Sequence, residues 1–170
     1  MKKIFLILIF ILNFENLYGS NKISYIDINY ILNNSKVGIS ISEHVKKIEE
    51  KKINEFNLIE KKLSDREKDI LKKKSVIDNE EFENLVNSLK KDVNSYRQVK
   101  KSFYEEIEKK KIKYTKQVLN TLNPIIAKYV EDNAISLVLL KKNIVIAKKD
   151  LDITIFIMDL LNNQLEKLEF

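Results

Sequence analysis

The chain has no cysteine and no tryptophan, and only one proline and two glycines among its 170 residues. Without cysteine, disulfides, thiolate chemistry and cysteine-ligated metals are excluded. A P-loop and a dinucleotide-binding fingerprint each need several glycines at fixed spacing, and only Gly38 remains once residues 1–19 are set aside. The sequence therefore excludes the known glycine-rich nucleotide-binding loops, and it predicts no cofactor.

Residues 1–19 have the pattern of a secretory signal peptide. The basic pair Lys2-Lys3 precedes the unbroken apolar run Ile4–Leu12, and small residues follow at 18–20. The apolar run is too short to span a bilayer, and small residues suit cleavage by a signal peptidase. We therefore expect an exported mature protein that begins near Ser20, with an uncleaved anchor as the alternative.

Positive charge is concentrated in one part of the chain. The net charge is +6, and the excess of lysine and arginine lies between residues 35 and 130, whereas the rest of the mature chain is mildly acidic. A basic segment of this kind is typical of proteins that meet nucleic acid, a membrane surface or an acidic polypeptide. A merely solvated helix surface is the alternative.

Two apolar stripes with spacings of three and four residues predict a coiled-coil arm over residues 40–130. The first stripe is Ile41, Val45, Ile48, Phe56, Ile59, Leu63 and Ile70, and the second is Phe82, Val86, Leu89, Val93, Tyr96, Phe103, Ile107, Tyr114 and Val118. The basic residues that interrupt the stripes are Lys52, Arg66, Lys100 and Lys110. Because both stripes are narrow, each helix needs one partner along its length rather than a globular core.

End and start signals of helices meet near residues 75–79. Lys72–Lys74 place positive charge where a helix C-terminus favours it, and Asp78 to Glu81 form an Asp-x-x-Glu start signal. We therefore predict an antiparallel hairpin with its tip at 75–79 rather than one continuous rod. This register brings Leu63 near Leu89 and Phe56 near Tyr96.

The remaining segments predict a small α+β body in two parts, residues 20–39 and 131–170. The expected strands are Ile23–Ile28, Ile135–Leu140 and Ile144–Ala147, the last two forming a hairpin. A short helix follows the first strand, Pro124 is expected to kink the returning arm helix, and a C-terminal amphipathic helix is expected to start at Asp152. So small a body is marginal as a monomer and leaves strand edges exposed, which predicts self-association.

Three segments together resemble the Skp (OmpH-like) periplasmic chaperone family over nearly the whole mature chain. They are ISYIDINYILNNSKVG near the start, Leu122–Ile126 with its central proline, and SLVLLKKNIVIAKKDLDIT near the end. At Lys148-Lys149-Asp150 the sequence departs from the Asp-Pro pair that the family commonly has, which concerns the local turn.

This resemblance implies a homotrimer with a shared β body and three helical hairpins around a cavity. Unfolded outer-membrane proteins would be held there in the periplasm without ATP. The candidate residues of the trimerisation body are Tyr25, Ile26, Leu137, Leu139 and Val145. The candidate contacts to the bound protein are Phe56, Phe82, Tyr96, Phe103 and Tyr104, although seam positions among them could simply pack the hairpin. Lys72, Lys73 and Lys74 are the candidates for contact with an anionic membrane surface.

The sequence does not predict an enzyme. His44, the single histidine, lies on a charged helix and is expected to be a solvated surface residue. Adjacent carboxylates such as Glu49-Glu50 point in different directions on a helix. Two rival functions remain, a coiled-coil adaptor in the envelope and a basic nucleic-acid-binding protein, and the export signal and mixed charges argue against the second.

Overall fold

The computed structural model of the chain describes residues 22–170, so the predicted signal peptide lies outside the described residues. The elements in chain order are β1 (Lys22–Ile26), α1 (Ile28–Asn34), α2 (Lys36–Lys73), α3 (Asn79–Asp132), β2 (Ile135–Leu140) and α4 (Thr154–Gln164), with 3-10 turns at Lys141–Asn143 and Lys149–Leu151. The α+β prediction, a small body carrying a long helical hairpin, is confirmed.

Helices α2 and α3 form the arm, an antiparallel hairpin that turns where the sequence predicts. Helix α2 has 38 residues, which corresponds to roughly 57 Å, and α3 has 54 residues. The Asp78 carboxylate accepts a hydrogen bond from the Glu81 amide at 2.8 Å and caps α3. Acidic residues in the first turn of α3 and lysines in the last turn of α2 complement the two helix dipoles.

The body contains a two-stranded parallel sheet. Strand β1 pairs with β2 so that Ile23 lies opposite Leu137 and Tyr25 opposite Leu139. On its other side, β1 makes an isolated parallel bridge from Tyr25 to Asp152. Strand β2 has no second partner among residues 22–170, so one edge of this sheet is open.

Polar contacts join the first and last segments of the body. The Tyr25 carbonyl accepts from the Ile153 amide at 3.0 Å, and the Asp27 amide donates to the Thr154 hydroxyl at 2.9 Å. Asp27 also caps α1 through the Tyr30 amide at 2.9 Å. The YID and DIT segments are therefore parts of one contact, although more than a hundred residues separate them in sequence.

The body core lies where the arm joins the sheet. Ile31 and Val37 near the start of the arm pack with Val118 and Leu122 near its return, and with Ile157 and Leu161 of α4, in one cluster of buried residues. Helix α3 continues through Pro124 to Asp132, so the end of the arm is itself part of the body. A smaller second cluster, Val45, Ile107 and Tyr114, extends this core into the root of the arm.

Two predictions for the body are wrong. Residues 144–147 do not form a strand with β2, because the 3-10 turn at 141–143 leads them away from the sheet. Ile144 keeps extended torsion angles, φ −112° and ψ 127°, but no ladder partner lies beside it. The last helix begins at Thr154 instead of Asp152, whose carboxylate accepts from the Thr154 amide at 2.9 Å.

Candidate functional site

The middle of the arm is held together by an aromatic cluster around Phe56. Its ring lies edge-on to those of Tyr96 and Phe103, with centroid distances of 5.8 and 5.6 Å, which confirms the predicted register. Phe56 is only 2 % exposed, so its ring packs the seam. Of the alternatives that the sequence left open for this residue, packing of the hairpin is the one that its burial favours.

A charged group interrupts the seam beside this cluster. The Lys100 ammonium lies 2.8 Å from the Glu60 carboxylate, and the Tyr96 hydroxyl donates to the same carboxylate. Hydrogen bonds from Lys100 first, and then from Tyr96, hold the pKa of Glu60 below its ordinary value. The Lys52 and Lys100 ammonium groups also lie 5.5 and 5.8 Å from the centre of the Phe56 ring.

Nearer the tip, the two helices separate enough to leave an apolar groove. Its half-buried floor contains Leu63 of α2 and Leu89 of α3, two residues that the predicted register brings together, and its volume is about 790 Å³. The rim is charged and carries both signs, with Glu60, Glu67, Lys90 and Arg97. Such an open groove offers contact to apolar groups without enclosing a small ligand.

Exposed apolar side chains occur singly along the arm. They are Ile53, Leu58, Ile59, Leu71, Val99, Tyr104 and Ile112, with exposed fractions between 38 and 67 %. Among the aromatic contact candidates, Tyr104 is the most accessible at 43 %, and Phe82, Tyr96 and Phe103 are half-buried. The sequence analysis missed Leu58, Val99 and Ile112, although an apolar residue that fits neither stripe is the signal that marks them.

The tip carries positive charge next to exposed aliphatic groups. Lys72 pairs with Asp69 at 3.2 Å, and both side chains are more than two-thirds exposed, so this pair neutralises little of the lysine charge locally. The Lys74 ammonium lies 5.9 Å from the Phe82 ring centre. Val76, at the turn itself, is 82 % exposed.

The open face of the body is apolar. Leu137 and Leu139 alternate along β2 and are 47 and 40 % exposed, and Val145 is fully exposed. Tyr25 and Ile26, the two other residues predicted for the trimerisation body, are buried within the protomer. The surface available to another molecule therefore comes from β2 and the extended segment after it.

His44 is not the solvated surface residue that the sequence predicted. Its ring is half-buried and stacks on Phe170 with a centroid distance of 3.8 Å and an interplanar angle of 6°. Tyr114 lies edge-on to the same phenyl ring at 5.4 Å. The charge pattern of α2 did not indicate this contact, because it depends on a segment that follows the last helix.

Within residues 22–170 there is no group of three or more histidine, aspartate or glutamate side chains placed to hold a metal ion. In the same residues no helix is both long and apolar enough to cross a membrane. The candidate site is therefore an extended surface along the arm rather than a pocket with converging polar groups.

A family model described as outer membrane protein (OmpH-like) matches residues 22–161. A crystal structure from Caulobacter crescentus, assigned as an outer membrane chaperone (OmpH-like), superposes with a TM-score of 0.77 at 20 % identity, and the match covers 93 % of this chain and 95 % of that one. No curated protein matches the chain.

Proposed function

Because the OmpH-like family model covers most of its length, the chain belongs to that family, and we propose that it is an ATP-independent periplasmic chaperone for unfolded outer-membrane proteins. The family supports a chaperone role for the chain. What we add is the mode of action, in which the arms bind unfolded protein and prevent its aggregation without catalysis.

The single observation that carries this proposal is the scatter of exposed apolar side chains over an arm rich in both charges. Each contact of this kind is weak and not specific for a sequence. Several arms around one cavity would make successive contacts effectively intramolecular, so that the bound chain is retained while it stays mobile. The basic excess on the arm would favour encounter with acidic segments.

A homotrimer is the assembly that we propose for this function. The open edge of β2, with Leu137 and Leu139 beside it, leaves backbone groups and apolar area that a second copy could cover. Val145 and its neighbours, which are extended but unpaired, would then find ladder partners in another protomer. This arrangement would place the arms of the copies around a common axis.

The proposal is tested by the aggregation of several unrelated outer-membrane barrel proteins diluted from denaturant. We expect stoichiometric amounts of the chain to suppress light scattering. The triple variant Leu58→Ser, Tyr104→Ser, Ile112→Ser should be clearly less effective, because these exposed arm residues supply apolar contact. Ile155→Ser, which removes an exposed residue of the body (50 % exposed), is the matched control and should behave as the wild type.

An adaptor in the envelope would bind one folded partner and leave the scattering of all denatured proteins unchanged, which would overturn the proposal. A nucleic-acid-binding protein would show tight DNA binding that weakens steeply with salt at physiological ionic strength. We expect neither result.

Contact of the tip with an anionic surface is a separate prediction. Reversal of charge at Lys72, Lys73 and Lys74 to glutamate should weaken binding to vesicles that contain anionic lipid, since each basic residue near such a surface contributes roughly 1 kcal/mol. Sedimentation with vesicles measures this, and vesicles of zwitterionic lipid are the control. Equal binding of the variant and the wild type would show that the tip makes no such contact.

A further inference from the structure

Residues 165–170 leave α4 and lie across the root of the arm. Leu168 packs against both core clusters, that of the body and that of the arm root. Phe170 then stacks on His44 of α2, and its ring is edge-on to Tyr114 of α3. We call this position the aromatic seat, formed by His44 and Tyr114 next to the cluster that receives Leu168.

The seat exists independently of its occupant. His44 and Tyr114 come from the two long helices and lie edge-on to each other, with ring centroids 6.1 Å apart. Tyr114 is only 7 % exposed and packs with Val45 and Ile107. Because the helices of the arm fix both rings, removal of Phe170 would leave a flat aromatic surface facing solvent.

The occupant is held weakly by comparison. Residues 165–170 belong to no helix or strand, and Phe170 remains 52 % exposed in its stacked position. The ion pair between Glu166 and Lys36 joins side chains that are 67 and 56 % exposed, and pairs of this kind contribute little. Few contacts would therefore be lost if this segment left the seat.

The pattern of the segment is that of the chains the protein is proposed to bind. Leu168 and Phe170 are two positions apart, and both face the arm, whereas Glu169 between them is exposed. Transmembrane β-strands of outer-membrane proteins alternate in the same way, with apolar residues on every second position and aromatic residues at the membrane interfaces. An unfolded strand of this type presents the same two groups at the same spacing.

We propose that the aromatic seat is a binding site for apolar-x-aromatic segments of unfolded outer-membrane proteins, and that residues 165–170 occupy it as an intramolecular competitor. This inference rests on the proposed function, because it assigns one contact point to the bound chain. A client segment enters when residues 165–170 leave, and the segment returns when the client is released.

His44 provides a direct reporter, because it is the only histidine of the chain. Its ring protons lie under the Phe170 ring and are expected upfield in the proton NMR spectrum at fixed pH. In Phe170→Ser they should move downfield. The probe is a short synthetic peptide of alternating apolar and polar residues that ends in Leu-Glu-Phe, and the matched peptide has Leu-Glu-Ser.

With the Leu-Glu-Phe peptide, the His44 protons of Phe170→Ser should return upfield, and the matched peptide should leave them unchanged. The peptide should bind this variant about tenfold more tightly than it binds the wild type, if residues 165–170 fill the seat for roughly nine-tenths of the time. Phe156→Ser, which removes an exposed aromatic residue elsewhere in the body, should give the wild-type affinity. His44→Ala combined with Phe170→Ser should lose the gain.

Unchanged His44 signals on addition of the peptide, or equal affinities of Phe170→Ser and the wild type, would overturn the proposal and make residues 165–170 a structural strap. Thermal unfolding of each variant shows whether it is folded. The aggregation assay separates the two proposals: a chain that suppresses aggregation while its seat ignores the peptide retains the proposed function, and a chain that suppresses none loses it.

Discussion

Gly38 lies at the junction between α1 and α2, where the backbone turns most closely on itself. A β-carbon at this position would lie 2.0 Å from the Leu32 carbonyl oxygen and 2.8 Å from its carbon. The Gly38 amide donates to the hydroxyl of Ser35, which is completely buried and caps α2. The root of the arm therefore depends on the absence of a side chain at one residue.

We expect Gly38→Ala to destabilise the protein by about 3 kcal/mol, in the upper part of the usual range for overpacking, because the atoms that the new methyl group meets are backbone. The midpoint of urea unfolding measures this loss. Ser42→Ala, one turn further along α2 on its exposed side, is the control and should unfold at the wild-type midpoint. An unchanged midpoint for Gly38→Ala would mean that α1 can move away freely.

At this scale, sequence reasoning reached the chemistry of single residues but not their surroundings. The capping role of Asp78 followed from a local pattern and is confirmed. The close approach at Gly38 and the stacking of His44 depend on where distant backbone or side chains come to lie, and no local pattern records that. Phe56 was correctly placed in the seam, yet only its burial distinguishes packing from contact with a partner.

At the scale of elements, the group Glu60, Tyr96 and Lys100 stabilises the antiparallel pairing of the arm helices. Its strength depends on pH, because the pKa of Glu60 is lower in the folded chain than the ordinary 4.5. A carboxyl group with a lowered pKa contributes stability above its unfolded pKa, and that contribution is lost as pH falls through the folded value.

The change that tests this is Glu60→Gln. At neutral pH the variant should melt at a slightly lower temperature than the wild type, and the difference should vanish as pH falls below 4.5. The effect should be small, because the Glu60 side chain is 47 % exposed. Glu67→Gln, another rim carboxylate of the groove, is the control. A difference that persists in acid would assign the effect of Glu60→Gln to packing instead of charge.

The elements divide according to how local their signals are. The hairpin and its turn were predictable, because heptad spacing and helix caps are read within a few residues. The strand expected at 144–147 was not formed, because a strand needs a partner and the sequence does not show which segment pairs with which. Its β-branched composition predicted extended backbone correctly at Ile144 and predicted the ladder incorrectly.

At the scale of the whole molecule, the apolar face of β2 is the feature that the isolated chain leaves uncovered. We predict that the double variant Leu137→Asp, Leu139→Asp prevents assembly, because burial of two unpaired carboxylates against another copy is strongly unfavourable. Light scattering coupled to size exclusion should give three chain masses for the wild type and one for the variant. Ile53→Asp on the arm should not change the mass, and a single-chain mass for the wild type would exclude the trimer.

The parallel pairing of β1 with β2 also sets an order of events during synthesis and export. The two strands flank the entire arm in sequence, so the hub cannot close until the arm and the residues beyond it have been delivered. Contacts within the hairpin are closer in sequence toward the tip and are expected to form sooner than this long-range pairing. A newly exported copy is thus itself a client-like polypeptide, with working arms and an unfinished hub, until its last segment arrives.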